Sequence, residues 1–124
     1  ESKPTTQVCT DSKGEQACRQ YLEKRYGVKF YKLRPIWCVN PRTGHCLEYD
    51  CISYEKKIIV EYSGQQHFKF TRAFHKSKKC FIDQVYRDKV KKKVAEQRGF
   101  RFVVVPYWIP TANIPAYLDL RLKG

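Results

Sequence analysis

Two runs of β-forming residues, Leu47 to Ser53 and Lys57 to Tyr62, are separated only by the polar group Tyr54-Glu55-Lys56. Runs of this composition with so short a break between them read as an antiparallel hairpin. A turn centred on Glu55-Lys56 sets Tyr54 opposite Lys57, Ile52 opposite Ile59 and Asp50 opposite Glu61. Opposed side chains in such a pair have Cβ atoms roughly 5 Å apart, and like charges there repel. Two facing carboxylates therefore need a compensating cation or a raised pKa. A divalent metal is the obvious candidate, because one or two carboxylates plus substrate phosphates make an ordinary magnesium site. The plainer alternative is two solvated acids on an exposed hairpin. Against it, Ile58, Val60 and Tyr62 point one way while Ile59 shares the other face with Glu61, and a strand apolar on both faces is usually covered on both.

The 124 residues suffice for one modest core, so a single domain over residues 13–124 is expected behind a polar N-terminal arm, 1–12. Against 12 acidic residues stand 25 Lys plus Arg, a net charge of +13, which points to polyanionic partners and says nothing of fold. The cations cluster between His67 and Arg101, where only Asp83, Asp88 and Glu96 oppose them. No apolar run approaches the ~20 residues that a membrane-spanning helix needs, and no signal peptide is visible. Six cysteines would allow three disulfides and a secreted protein. Cys18, Cys51 and Cys80, however, sit among apolar neighbours as free thiols do, which favours reduced thiols and an intracellular setting, nuclear, cytoplasmic or viral.

Ser12 is a plausible N-cap for a helix over Lys13 to Tyr26, with Glu15 at the capping-box spacing and Gly27 as the stop. Glu15 is then either a cap partner or an acid presented to the sheet. Val28 to Leu33 reads as a strand broken by Arg34-Pro35, Ile36 to Val39 as a short apolar continuation, and Asn40 to Gly44 as a turn. The strand after the hairpin turn ends near Gly64, and Phe68 to Lys79 forms a basic, aromatic loop. Cys80 to Arg98 is the longest helix, and Gln84, Arg87, Asp88 and Lys91 share one of its faces. Gly99 stops it. Phe100 to Val105 is an interior strand, and Thr111 to Leu122 a short helix. The expected class is an α/β sheet flanked by helices.

In that order the pieces resemble a small viral or phage-type member of the PD-(D/E)xK nucleases, with their restriction-endonuclease-like core: a central mixed sheet carrying a central hairpin. The resemblance rests on Glu15, on Arg34-Pro35-Ile36-Trp37 and Asn40-Pro41-Arg42-Thr43-Gly44, and on Leu47-Glu48-Tyr49-Asp50. Glu61-Tyr62-Ser63-Gly64-Gln65-Gln66-His67 and Arg87-Asp88-Lys89-Val90-Lys91 complete it, so that it spans roughly Lys13 to Tyr107. It implies metal-dependent phosphodiester hydrolysis, as in an endonuclease or resolvase. Asp50, Glu61 and the carbonyl of Tyr62 would hold Mg2+ or Mn2+, and Glu15 would complete the acidic cluster. Ser63 stands where that family carries a lysine. Gln66 or, by preference, Lys91 would replace it in positioning water and charge. Arg34, His67, Lys69, Arg72, Arg87, Lys89 and Lys92 are the candidates for nucleic-acid contact, with DNA favoured over RNA. A homodimer is compatible with the aromatic tail at Tyr107 and Trp108.

Two rival readings remain at this stage. One is a nucleic-acid-binding module without catalysis, whose affinity would depend steeply on salt. The other is a secreted, disulfide-stapled ribonuclease using His45, His67 and His75, although no pancreatic-ribonuclease motif surrounds them.

Overall fold

The computed structural model describes residues 12–64 and 77–123. Helix α1 spans Lys13–Tyr26, as its caps require: Ser12 Oγ accepts the Glu15 N–H at 3.1 Å, and Gly27 closes the helix in the left-handed conformation. Strands β1 (Tyr31–Leu33), β2 (Tyr49–Ser53) and β3 (Ile58–Ser63) follow, then helix α2 (Lys78–Gln97), strand β4 (Arg101–Pro106), a 3-10 turn (Thr111–Asn113) and helix α3 (Ile114–Arg121). The strands form one mixed sheet in the order β1-β2-β3-β4. The first two pairings are antiparallel and the last is parallel, with α2 in the connection between β3 and β4.

The hairpin has the register expected from its sequence, with Ile52 paired to Ile59 and Cys51 to Val60. Both faces of the sheet are covered. On one, Cys51, Ile58, Val60, Val103 and Val105 pack with Cys18 and Leu22 of α1 and Ile114 and Leu118 of α3. On the other, Ile52, Ile59, Tyr49 and Phe100 pack with Ala95 of α2. One irregularity interrupts the alternation. Between Tyr31 and Leu33 on β1, the partner strand runs the longer stretch from Ile52 to Tyr49. The extra residue is a β-bulge at Asp50-Cys51, and it brings Tyr49 and Ile52 into the same core, which strict alternation forbids. Bulges of this kind re-aim a side chain, and here the side chain beside it is Asp50.

Elsewhere the elements depart from their expected bounds for identifiable reasons. The first strand does not run from Val28, because side chains of α1 take the backbone of Phe30. Its N–H donates to Glu23 Oε2 at 3.0 Å, and its carbonyl accepts from Arg19 Nε at 3.3 Å. Ile36 to Val39 is a turn with a single bridge from Val39 to Cys46 and not a strand. Helix α2 begins at Lys78 because Ser77 Oγ accepts the Cys80 N–H at 3.3 Å, which leaves Cys80 exposed instead of packed among apolar neighbours. The last helix divides into the 3-10 turn and α3. Residues 1–11 of the expected arm lie outside the described residues. Among the described residues, no helix is long and apolar enough to cross a membrane.

Gly14 sets how closely α1 approaches β3. A Cβ built there would lie 2.4 Å from the ring of Tyr62. Alanine is ordinarily the better helix former by about 1 kcal/mol, whereas overpacking costs ~1–3 kcal/mol. Gly14→Ala is therefore expected to lower the thermal midpoint by a few degrees. A raised midpoint would show that Tyr62 moves aside freely.

Candidate active site

One groove, about 620 Å³, opens between the Asn40–Leu47 segment, the ends of β2 and β3, and α2. Its lining includes Glu15, Arg34, Asp50, Glu61, Tyr62, Arg87 and Lys91, which are seven of the residues singled out from the sequence. Gln84, Arg87, Asp88 and Lys91 all reach it, as their shared helical face requires. Lys89 and Lys92 do not: both are exposed on the flank of α2, and Lys92 pairs with Glu96 at 3.0 Å. Gln66, His67, Lys69 and Arg72 lie outside the described residues.

The two acids meet at the end of the hairpin. Asp50 N–H donates to Glu61 Oε2 at 2.8 Å, and Tyr62 N–H donates to Asp50 Oδ2 at 3.1 Å. Each carboxylate thus reaches across and takes a main-chain donor from the other strand. Lys91 crosses from α2 to donate to Glu61 Oε1, with the Lys91 and Glu61 side chains only 12% and 8% exposed. Ser63, one strand period beyond Glu61, is buried on the same face, and the ammonium beside Glu61 comes from α2.

Electrostatics follow from that packing. Burial, and then the neighbouring Glu61 charge, push the Asp50 carboxyl up to about 7 against the pull of Lys91, the Tyr62 N–H and Lys32. Burial also raises Glu61, although Lys91 opposes the rise. Burial works to lower the Lys91 ammonium, but Glu61, Asp50 and Asp88 together outweigh it and leave it raised. One lysine thus serves two acids, Glu61 buried and Asp50 half-buried.

A raised carboxyl favours the folded state only while it holds its proton. The Asp50 contribution in metal-free protein is complete below the ordinary carboxylate value of 3.8 and is lost as pH rises towards about 7. In EDTA, the thermal midpoint of Asp50→Asn minus that of the unaltered chain should grow across that window and level off above it. A difference that does not change with pH would remove the buried-acid description.

Glu15, which had two readings, is presented to the sheet: its Oε1 accepts from Lys32 Nζ of β1 at 3.0 Å, and its main-chain N–H donates to the Ser12 cap. Three residues that position the site were missed. Lys32 holds Glu15. Arg19 donates to the Asp50 carbonyl at 2.5 Å and so ties α1 to the bulge. Tyr49 donates its hydroxyl to the Lys91 carbonyl at 2.8 Å, fixing the helical turn that carries the lysine to the strand that carries Asp50. Tyr49 was the one open to detection, as the large aromatic immediately before Asp50.

In a chain of net charge +13 the groove lining is acidic among the described residues. Glu15, Glu48, Asp50, Glu61 and Asp88 outnumber Arg34, Arg87 and Lys91 there, and they are five of the chain's twelve acids. Such a lining attracts cations and not bare phosphate. Asp50 Oδ1 also has no hydrogen-bond partner among the described residues. The donors are all hard oxygens, which fits magnesium or manganese. Among the described residues no group of three or more His, Cys, Asp or Glu clusters as a metal cage. Two carboxylates suffice where substrate phosphates supply the remaining ligands.

The five described cysteines, Cys18, Cys38, Cys46, Cys51 and Cys80, form no disulfide. Burial raises the Cys18 thiol to about 12 and also raises Cys38 and Cys51, so these three behave as apolar core residues. A three-disulfide staple needs all six cysteines, so the stapled-ribonuclease reading is set aside.

Fold and site together define a mixed α/β protein with two acids and a lysine gathered at the mouth of a central hairpin. No protein-family model matches the chain, and no solved structure does. It belongs to a family of viral proteins. It is 41% identical over 115 residues to uncharacterized protein 033L of invertebrate iridescent virus 3, covering 93% of this chain and 59% of that one. It is 37% identical over 135 residues to uncharacterized protein 307L of invertebrate iridescent virus 6, covering 97% and 68%. Uncharacterized protein 094L of frog virus 3 (isolate Goorha) is 37% identical over 115 residues, covering 92% and 73%. The chain therefore spans little more than half the length of the first of these relatives.

Proposed function

We propose that this chain is a metal-dependent nuclease that hydrolyses phosphodiester bonds of nucleic acid, DNA in preference to RNA, on a restriction-endonuclease-like core and in an intracellular setting. The observation that carries the proposal is the convergence of Asp50, Glu61 and Lys91, from two strands and a helix, at one end of an acidic groove in a basic protein. The resemblance to PD-(D/E)xK nucleases supports it, because the motif residues Glu15, Arg34, Asp50, Glu61, Arg87 and Lys91 line a single groove.

Asp50 and Glu61 would hold magnesium or manganese, with the Tyr62 carbonyl as a further oxygen donor. When bound, such an ion lowers the pKa of a coordinated water and offsets charge on the scissile phosphate. The chain's own residues do the rest. The two cross-strand hydrogen bonds hold the carboxylates in register before substrate arrives. Lys91 neutralises Glu61 and lies beside the position where negative charge develops on the phosphate. Tyr49 and Arg19 fix the backbone on either side of the acids. Arg34 and Arg87 on the groove walls orient the phosphodiester.

Incubation of supercoiled plasmid and labelled oligonucleotides with the chain in magnesium, in manganese and in EDTA tests the proposal. Cleavage that needs the metal supports it; binding without cleavage in every metal rejects it. Ser63 in the position of the resembled family's lysine favours a second reading, a binding-only relative, and the second outcome selects that reading.

A further inference from the structure

Among the described residues the groove is lined mainly by acids, and a second, basic surface lies away from it, at the opposite end of the sheet where the hairpin turns. Lys56 and Lys57 of the turn, Arg101 at the start of β4 and Arg25 at the end of α1 line a recess of about 440 Å³ with Gly99 and Leu122. Arg98 lies next to it, above the ring of Trp37. Two acids are near: Glu55 in the turn itself, and Asp119, which is engaged with Arg25 and the Tyr21 hydroxyl. Lys56, Lys57, Arg98 and Arg101 are all exposed.

Two features distinguish this end from an ordinary solvated surface. Lys57 has φ of 57°, and it is the only non-glycine residue with positive φ among those described. Glycine takes that conformation without strain; the lysine kept there sets its ammonium 4.8 Å from the centre of the Phe100 ring, so a fixed positive charge stands at the turn. Beside it, Tyr54 is 48% exposed, and its hydroxyl accepts from Trp37 Nε1 at 3.0 Å. Trp37 and Phe100 brace its ring edge-on. A braced, half-exposed aromatic among lysines and arginines is the combination with which proteins bind nucleic-acid strands irrespective of sequence.

We propose that the hairpin end is a second nucleic-acid contact, in which Lys56, Lys57 and Arg101 hold the phosphodiester backbone and Tyr54 offers a surface to a sugar or base. It rests on the nucleic-acid reading of the preceding section, but it is separate from the groove. Three residues of β3 lie between Lys57 of the turn and Glu61, a span of roughly 13 Å at the usual rise per residue. The contact anchors nucleic acid by charge, while the groove supplies the ion-dependent chemistry.

Anisotropy titration of a labelled DNA duplex over a series of salt concentrations, in EDTA so that nothing is cut, tests this. Lys56→Ala with Lys57→Gly is expected to weaken binding about tenfold at moderate salt and to reduce the slope of log K against log salt by about two, one released counterion per lost phosphate contact. Its thermal midpoint should change little, since glycine suits the backbone at position 57 and offsets loss of the exposed Lys57–Phe100 contact. Lys56→Ala alone, which leaves the turn conformation untouched, should reduce the slope by about one. Unaltered DNA binding and slope in both variants overturns this contact and leaves the groove reading intact. An unaltered chain that binds no DNA at any salt in EDTA also overturns this contact, while the groove reading stands or falls on cleavage in magnesium and manganese.

Discussion

Asp50→Asn should reduce metal-dependent cleavage by on the order of 10²–10³-fold or more, the scale on which a single preorganised electrostatic contact acts, while raising metal-free thermal stability at neutral pH. The two changes share one cause. Asp50 is a half-buried carboxyl beside Glu61, with its pKa raised to about 7, so its ionised form is the one that desolvation and the neighbour disfavour. Asparagine keeps an oxygen to accept the Tyr62 N–H, which Asp50 Oδ2 now takes, and removes the charge that an ion would bind. Cleavage rate and thermal midpoint, measured on the same preparation, check it. Loss of activity together with loss of stability would mean that the aspartate is a structural residue.

Lys91→Met should destabilise the fold by about 3–5 kcal/mol, the range for breaking a buried ion pair from one side. Methionine retains the aliphatic length but leaves Glu61, buried beneath α2, without its cation. Adding Glu61→Gln should restore most of that stability, because the remaining partner no longer carries charge into the core. It should restore no cleavage. Denaturant unfolding of both single variants and the double variant measures the coupling, and near-additive losses would show that the pair contributes little to the fold.

The hairpin and its register were legible because chain chemistry fixes them locally. Alternation on both faces of β3 left one polar gap in which to turn. Helix α1 was legible for the same reason, since Ser12 and Gly27 are strong signals at either end. The groove face of α2 followed from helical spacing alone. What the sequence concealed was long-range. Helix side chains of Glu23 and Arg19 capture the Phe30 backbone and shorten β1, and no local pattern announces this. The bulge at Asp50-Cys51 depends on pairing with β1, a strand distant in sequence. Spacing put Lys91 on the groove face of α2 but did not name its partner, which is Glu61, thirty residues away. Lys89 and Lys92 counted as basic residues on a suspect helix, and only the direction of its faces separates them from Arg87.

Soaking crystals in manganese and collecting anomalous diffraction data tests the metal assignment most directly. The expected result is a single strong anomalous peak within coordination distance, about 2.1 Å, of oxygens from both Asp50 and Glu61. Saturating manganese that leaves no peak there, with Lys91 still bound to Glu61, would contradict the assignment and with it the hydrolytic role of the groove.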